Sequence, residues 1–175
     1  MTGKTAKKKT AAPTDTSALI AGIAGYLRDM GATVSFAESC TGGLLSSLFT
    51  EVAGISDVFE GSVVAYSNRI KERELAVPAP LLRSMGAVSL PVARQMASGV
   101  RQRIGSTWAL SITGIAGPGG GSPQKPVGTV CFGLCGPGVE KTEQQLFAGN
   151  RRQIQMASAE HALRLLSDEL GAGKE

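Results

Sequence analysis

The spacing of apolar residues along the chain predicts helices and strands in alternation. Apolar residues that recur three or four positions apart indicate helices, as they do over residues 16–30 and 151–170. Short β-branched and apolar runs between Gly, Pro or polar residues indicate strands. The predicted helices span residues 16–30, 44–52, 69–75, 91–104 and 151–170, and the predicted strands span residues 32–37, 61–66, 108–113, 127–134 and 141–147.

Glycine and proline set the expected breaks between these elements. Gly31 follows the first helix, and Pro78 and Pro80 are expected to end the helical stretch that closes at Leu75. The last two strands are expected to pair as an antiparallel hairpin through the Gly-Pro-Gly turn at residues 136–138.

The alternation of strands and helices, followed by a hairpin, predicts the fold class α/β. We expect a single three-layer α/β/α domain over residues 15–171, with a mixed sheet of about five strands. Residues 1–14 contain four lysines, no acidic residue and no large apolar residue after Met1. Such a composition is typical of a disordered basic tail.

The basic balance of the sequence comes from this tail. The chain has 18 Lys and Arg residues against 14 Asp and Glu residues, so without the four tail lysines the two signs are equal in number. A nucleic-acid partner requires a clustered basic face, which a formally neutral body does not offer, and we do not expect one. The tail itself is interpreted either as a solubilising extension or as a binding arm.

The sequence contains no expected membrane segment. No apolar run approaches the roughly 20 residues that span a bilayer, and the basic start is not followed by the apolar stretch of a signal peptide. We therefore expect a cytoplasmic protein with no membrane partner.

Cysteine and histidine limit the chemistry that the chain is expected to perform. The three cysteines, Cys40, Cys131 and Cys135, form no Cys-x-x-Cys pair, and His161 is the single histidine. We therefore expect neither disulfides nor a metal site. The base of a hydrolytic site is expected to be a residue other than histidine.

Ser39 is a candidate nucleophile because it lies at a predicted strand-to-helix turn. In an α/β sheet, free backbone N–H groups gather where strands end and helices begin. The N–H groups of Cys40, Thr41 and Gly42 would there be free to hold a negatively charged oxygen. The alternative is that Ser39 or Thr41 only caps the following helix.

Lys71, in the first turns of the third predicted helix, is the candidate base for Ser39. A lysine whose ammonium is desolvated loses its proton near neutral pH and can then deprotonate a hydroxyl. Tyr66 and Asn68 precede it closely and would orient the amine or a substrate. The alternative is a solvated surface lysine beside two glutamates.

A third polar segment, at residues 113–126, follows the predicted strand that begins at Trp108. From Gly114 to Pro126 it contains five glycines and three prolines. Successive N–H groups of such a loop can wrap a phosphate, although the sequence is neither a Walker A motif nor a dinucleotide fingerprint. The alternative is a flexible connection.

Taken together, these segments resemble the CinA carboxy-terminal domain family. The resemblance rests on Ala-Glu-Ser-Cys-Thr-Gly-Gly at 37–43, on Gly-Ser-Val-Val-Ala-Tyr-Ser-Asn at 61–68 with Lys71, and on Thr-Gly-Ile-Ala-Gly-Pro-Gly-Gly-Gly at 113–121. Lys-Pro-Val-Gly at 125–128 and Gly-Ala-Val-Ser at 86–89 extend the match, which covers residues 17–170.

The resemblance implies a nicotinamide-nucleotide amidase, which converts nicotinamide mononucleotide to nicotinate mononucleotide and ammonia without a cofactor. Ser39 would be the nucleophile and Lys71 its base, and the oxyanion would rest on the turn from Cys40 to Gly43. The residues expected to contact this small-molecule substrate are Glu38, Cys40, Thr41, Gly42, Gly43, Tyr66, Asn68, Thr113, Gly114, Gly117, Gly119 and Gly120.

Two features depart from the family pattern, and two other functions stay open. The family is often fused behind a larger amino-terminal domain, which this sequence lacks, so we expect the stand-alone form. Asn150 replaces the acidic residue that is usual before Arg151, which weakens an ionic role for position 150. The other functions are a non-catalytic nucleotide-binding module and an accessory factor in competence or the DNA damage response. A homo-oligomer is compatible with the sequence, although no pattern along the chain predicts one.

Overall fold

The computed structural model describes residues 16–171, which form six α-helices, one short 3-10 helix and five strands. The helices are α1 (Thr16–Asp29), α2 (Leu44–Thr50), α3 (Asn68–Leu75), α4 (Ala79–Met85), α5 (Leu90–Ile104) and α6 (Arg151–Leu170), with the 3-10 helix at Ile55–Asp57. The strands are β1 (Val34–Glu38), β2 (Phe59–Val64), β3 (Trp108–Gly114), β4 (Thr129–Gly136) and β5 (Val139–Leu146). The predicted basic tail, residues 1–14, lies outside the described residues.

The five strands form one mixed sheet in the order β2-β1-β3-β4-β5. β1 pairs in parallel with β2 and β3, whereas β3, β4 and β5 pair antiparallel. Successive parallel strands of one sheet need crossover connections. α2 lies in the connection from β1 to β2, and α3, α4 and α5 lie in the connection from β2 to β3, which passes over β1. The predicted α/β fold with a mixed sheet is confirmed.

Helices cover both faces of the sheet, and each face has its own apolar core. On one face, Phe36 and Phe132 of the sheet pack with buried residues of α1, α2 and α6. On the other face, Leu75 of α3 and Met96 of α5 pack against Ala109 of β3. The result is the predicted arrangement of three layers.

The parallel strands bring several chain segments to one edge of the sheet. Glu38, at the end of β1, pairs with Val64 at the end of β2 and with Ile112 near the end of β3. β5 runs back to the same edge, since its Leu146 pairs with Thr129 at the start of β4. The turn after β1, the start of α3, the Gly-rich loop and the start of α6 therefore share this carboxyl edge.

The predicted end of the third helix at Leu75 is confirmed, but the sequence reasoning missed α4, which begins directly after this break. Pro78 is the N-cap of α4, and Pro80 lies in its first turn. A proline in the first turn of a helix loses no hydrogen bond, because N–H groups there have no intrahelical partner. The bounds of α6 agree with the prediction, whereas β4 begins at Thr129 rather than at residue 127.

Candidate active site

Ser39 and Lys71 meet directly at the carboxyl edge of the sheet. Lys71 lies in the first turns of α3, whose N-cap is Ser67, with the Ser67 side chain accepting a hydrogen bond from the Ile70 N–H. The Lys71 Nζ lies 2.8 Å from the Ser39 Oγ. Lys71 is only 1% exposed, so the alternative of a solvated surface lysine is wrong.

The surroundings of the Lys71 amine favour its neutral form. Besides Ser39, the Nζ contacts the carbonyl oxygens of Ala65 at 2.7 Å and Tyr66 at 3.4 Å. Among residues 16–171, no carboxylate pairs with it. Burial lowers the pKa of the Lys71 ammonium from 10.5 to about 8. Once neutral, the amine can donate to the two carbonyls and keep its lone pair for the Ser39 O–H.

Glu38 caps α2, so the Ser39 side chain is not needed for capping. The N-cap residue of α2, Gly43, has no side chain for capping. The Glu38 carboxylate accepts from the N–H groups of Gly43 at 3.0 Å, Leu45 at 3.1 Å and Ser46 at 2.9 Å. The alternative that Ser39 caps this helix is therefore wrong. The predicted substrate contact of Glu38 is also corrected, since its buried carboxylate is already occupied.

The turn after Ser39 offers fewer free N–H groups than the sequence suggested. The Gly42 N–H donates to the Ser39 carbonyl at 3.1 Å, and the Gly43 N–H donates to Glu38. The predicted oxyanion donors Gly42 and Gly43 are therefore wrong. Within the described part of the chain, the N–H groups of Cys40 and Thr41 have no acceptor on another residue. They remain as candidate donors to a negatively charged oxygen.

The Ser39 hydroxyl and the Lys71 amine lie at a cleft of about 220 Å³. The predicted site residues that line it are Ser39, Cys40, Tyr66, Asn68, Lys71, Thr113 and Gly114. The predicted residues outside its lining are Glu38, Thr41, Gly42, Gly43, Gly117, Gly119 and Gly120. The residues that the sequence reasoning missed are Ala87, Val88, Ala116 and Arg151.

Arg151 adds a second positive charge to the cleft lining, which includes no acidic side chain. Its guanidinium donates to the Gly117 carbonyl at 2.8 Å and to the Tyr66 hydroxyl at 2.9 Å. Asn150 caps the helix that Arg151 begins, through a reciprocal capping box with Gln153. A cation in the first turn of a helix opposes the helix dipole. A basic residue at this unfavourable position of a predicted helix is the sequence signal that could have identified Arg151.

The start of the Gly-rich loop lines the cleft at Gly114 and Ala116, whereas its later glycines lie outside the lining. Gly119 and Gly120 are exposed, while Gly117 contributes its carbonyl to Arg151. Lys125 connects this loop to the end of α4 and to the segment that follows, because its Nζ donates to the carbonyls of Met85 at 2.9 Å and Val88 at 2.7 Å. The loop is therefore held at Gly117 and at Lys125 by contacts with other segments.

Cys40 lies next to the candidate nucleophile Ser39, but its thiol does not form a competing thiolate at neutral pH. Burial raises the pKa of its thiol to about 12, so the group stays protonated at neutral pH. No cluster of three or more His, Cys, Asp or Glu side chains suited to a metal occurs within residues 16–171. Over the same range, no helix has the length and apolar character needed to cross a membrane.

The fold and the site define a three-layer α/β protein with a serine–lysine pair in a positively charged cleft. The chain belongs to the CinA C-terminal domain family, whose model matches residues 16–170. A CinA-like protein from an Anaeromyxobacter species is 52% identical over 144 residues, which are 82% of this chain and 35% of that relative. A CinA-like protein from Trichormus variabilis is 52% identical over 147 residues, with the same coverage. The chain thus spans about a third of the length of these curated relatives.

Solved structures support the same assignment. The competence/damage inducible protein CihA from Agrobacterium tumefaciens superposes with a TM-score of 0.84 at 37% identity, covering 93% of this chain and 99% of that chain. A CinA superfamily protein from Enterobacter cloacae superposes with a TM-score of 0.87 at 30% identity, covering 96% of this chain and 99% of that chain. The resemblance drawn from the sequence motifs is confirmed.

Proposed function

We propose that this chain is an amidohydrolase that converts nicotinamide mononucleotide to nicotinate mononucleotide and ammonia. The observation that carries the proposal is the 2.8 Å contact between the Lys71 Nζ and the Ser39 Oγ, because it joins a nucleophile to a base. A serine hydroxyl attacks a carboxamide only when a neighbouring group removes its proton. A buried lysine whose pKa falls to about 8 can do so near neutral pH.

In the first half of the reaction, the neutral Lys71 amine accepts the Ser39 proton as the Ser39 oxygen bonds to the carboxamide carbon. The carbonyl oxygen becomes an oxyanion beside the N–H groups of Cys40 and Thr41. When the oxyanion collapses, the carbon–nitrogen bond breaks and the Lys71 ammonium returns its proton to the leaving amine. Ammonia departs, and nicotinate mononucleotide remains esterified to Ser39.

In the second half, the neutral amine accepts a proton from water. The resulting hydroxide attacks the ester carbon, the bond to the Ser39 oxygen breaks, and Lys71 returns the proton to Ser39. The protein thereby regains its starting state after consuming one water molecule. Every proton transfer uses Lys71, so this cycle requires neither histidine nor a cofactor.

Arg151 supports a substrate that carries an anionic group. The cleft volume of about 220 Å³ lies below the roughly 300 Å³ at which ligand pockets usually begin, so a mononucleotide would fill it only in part. The pyridine carboxamide would lie at Ser39 and the phosphate at Arg151, whose planar guanidinium is suited to phosphate oxygens. Arg151 keeps its positive charge when Lys71 is neutral, and the lining has no acidic side chain, which favours a phosphorylated amide over a cationic one.

Ammonia release from nicotinamide mononucleotide tests the proposal. The purified protein is expected to release one ammonia for each nicotinate mononucleotide formed. Ser39→Ala and Lys71→Ala should each lower kcat by about a thousandfold or more while their circular dichroism spectra match the parent. Unchanged activity in Ser39→Ala would overturn the serine mechanism. A parent protein that releases no ammonia would overturn nicotinamide mononucleotide as the proposed substrate.

The names of the solved relatives favour a second candidate. They describe competence and damage-inducible proteins, which suggests an accessory role in DNA uptake or in the response to DNA damage. Such a role through direct DNA binding predicts an affinity that falls steeply with salt. Failure to bind duplex DNA at low salt would remove direct DNA binding from consideration.

A further inference from the structure

Gln155 joins α6 to the turn that carries Ser39. It lies in the second turn of α6, and its side-chain amide donates to the Cys40 carbonyl at 2.8 Å. The two residues are 115 positions apart, so the contact depends on how α6 packs against the sheet. Because a carbonyl only accepts hydrogen bonds, the nitrogen of the amide must face Cys40.

This contact fixes the direction of a neighbouring N–H group. The Cys40 carbonyl and the Thr41 N–H belong to one planar trans peptide, in which they point in opposite directions. When Gln155 holds the carbonyl toward α6, the Thr41 N–H must point away from α6. The preceding peptide is held in a similar way, since the Ser39 carbonyl accepts from the Gly42 N–H at 3.1 Å.

The N–H groups of these two peptides belong to Cys40 and Thr41, which are both buried residues. Cys40 is 5% exposed and Thr41 is 3% exposed, and neither N–H finds an acceptor on another residue of the described chain. The great majority of buried backbone N–H groups in folded proteins are paired. The Cys40 N–H lies against its own thiol, so the Thr41 N–H is the unpaired group next to Ser39, and we expect it to have an acceptor during the reaction.

We infer that Gln155 is a positioning residue, which holds the Cys40–Thr41 peptide so that the Thr41 N–H can bind the oxyanion formed at Ser39. The inference rests on the proposed hydrolysis at Ser39 and extends it to a residue outside the cleft lining. Gln155 touches neither Ser39 nor Lys71 through any hydrogen bond in residues 16–171. Its effect on the reaction passes through the backbone of the turn.

Two substitutions remove the donor and keep the length of the side chain. Gln155→Met leaves an unbranched side chain with good helix propensity, and Gln155→Glu places an acceptor against the Cys40 carbonyl. Both variants should lower kcat about tenfold and leave KM unchanged, because the oxyanion exists only after the substrate has bound. Gln102→Met is the matched control, since Gln102 is an exposed residue of α5 and should keep the parent kcat.

A structural role without an effect on the oxyanion predicts a different result. Variants that keep the parent kcat, or that raise KM alone, would overturn the inference. Thermal melting of each variant separates a misfolded protein from a folded one with a slow reaction. If Gln155→Met is unstable, Gln155→Glu carries the test.

A serine-directed probe tests the inference without relying on the identity of the amide. The Ser39 oxygen displaces fluoride from an alkyl fluorophosphonate, Lys71 takes the proton, and negative charge builds on the phosphoryl oxygen during the displacement. Mass spectrometry of the intact protein should show Ser39 labelled about tenfold more slowly in both Gln155 variants than in the parent and in Gln102→Met. Equal labelling rates, or no labelling of the parent, would overturn the inference. Labelling that slows as expected in a protein that releases no ammonia would instead locate the failure in the proposed substrate.

Discussion

Lys71 occupies a position in which a charged ammonium is disfavoured and a neutral amine is useful. Its amine is removed from water, and its partners are two carbonyl oxygens and a hydroxyl rather than a carboxylate. Carbonyl oxygens accept from either protonation state, whereas a carboxylate would hold the proton on the amine. The absence of an acidic residue from the cleft lining therefore suits the proposed role of Lys71 as a base.

The protonation of Lys71 predicts how the reaction rate depends on pH. The ammonium cannot accept the Ser39 proton, so kcat/KM should rise with pH through about 8 and then level off. Amidase rates measured from pH 6 to 10 in a constant-ionic-strength buffer check this expectation. A profile that falls across this range would contradict a lysine base.

Sequence motifs predicted some of the site residues and missed others. Ser39 and Lys71 come from separate motifs, and the structure brings their side chains together. Glu38 was expected to contact the substrate, but the direction of its carboxylate depends on the turn at Gly42 and Gly43, both with positive φ. Arg151 reaches the cleft only because α6 starts at the carboxyl edge of the sheet. Such contacts depend on tertiary packing, which local patterns do not encode.

Two helices, α3 and α5, fix the position of the base through a close backbone contact. A Cβ atom built on Gly99 of α5 would lie 2.0 Å from the Leu75 carbonyl oxygen at the end of α3. No side chain larger than hydrogen fits in that space without moving one of the helices. The distance between α3 and the sheet, and with it the reach of Lys71 toward Ser39, therefore depends on this glycine.

Replacing Gly99 tests the contact between these helices. Gly99→Ala should lower the free energy of unfolding by about 2 kcal/mol, because overpacking outweighs the gain in helix propensity. Gly25→Ala is the matched control, since a Cβ at that position of α1 meets no atom within 4 Å. It should raise stability by up to about 1 kcal/mol. Urea denaturation measures both, and equal shifts in the two variants would contradict the role of the close contact.

At the level of elements, apolar spacing predicted the helices better than the positions of proline did. The bounds of α6 were predicted from its apolar spacing because one face of a long surface helix must be buried. The missed helix α4 is short. Its two prolines were interpreted as ending a helix, although they lie at the N-cap and in the first turn, where proline is tolerated. Whether a proline starts or stops a helix depends on the direction in which the chain continues.

The lowered pKa of Lys71 affects the stability of the whole folded protein. A pKa lowered from 10.5 to about 8 corresponds to about 3 kcal/mol of unfavourable interaction for the charged form in the folded state. Below pH 8 both states bind the proton, and the folded state bears this cost. Between pH 8 and 10.5 the unfolded chain binds more protons than the folded one, so stability rises with pH across this window.

A comparison with Lys71→Met isolates this effect. The stability of the parent relative to Lys71→Met should increase as the pH is raised from 8 to 10.5, because only the parent releases the proton at that position on folding. Urea denaturation of both proteins at several pH values gives the difference. A difference that is constant or falls with pH would show that Lys71 keeps its ordinary pKa.

The hairpin between β4 and β5 turns at the opposite end of the sheet from the cleft. Cys135, near the end of β4, pairs with Ala109 at the beginning of β3, whereas the site lies beyond the end of β3 at Gly114. Pro137 and Gly138 in this turn are exposed, and the φ of 72° at Gly138 favours glycine at that position. A fluorophore or an immobilisation tag attached at this turn would therefore lie at the opposite end of the sheet from the cleft.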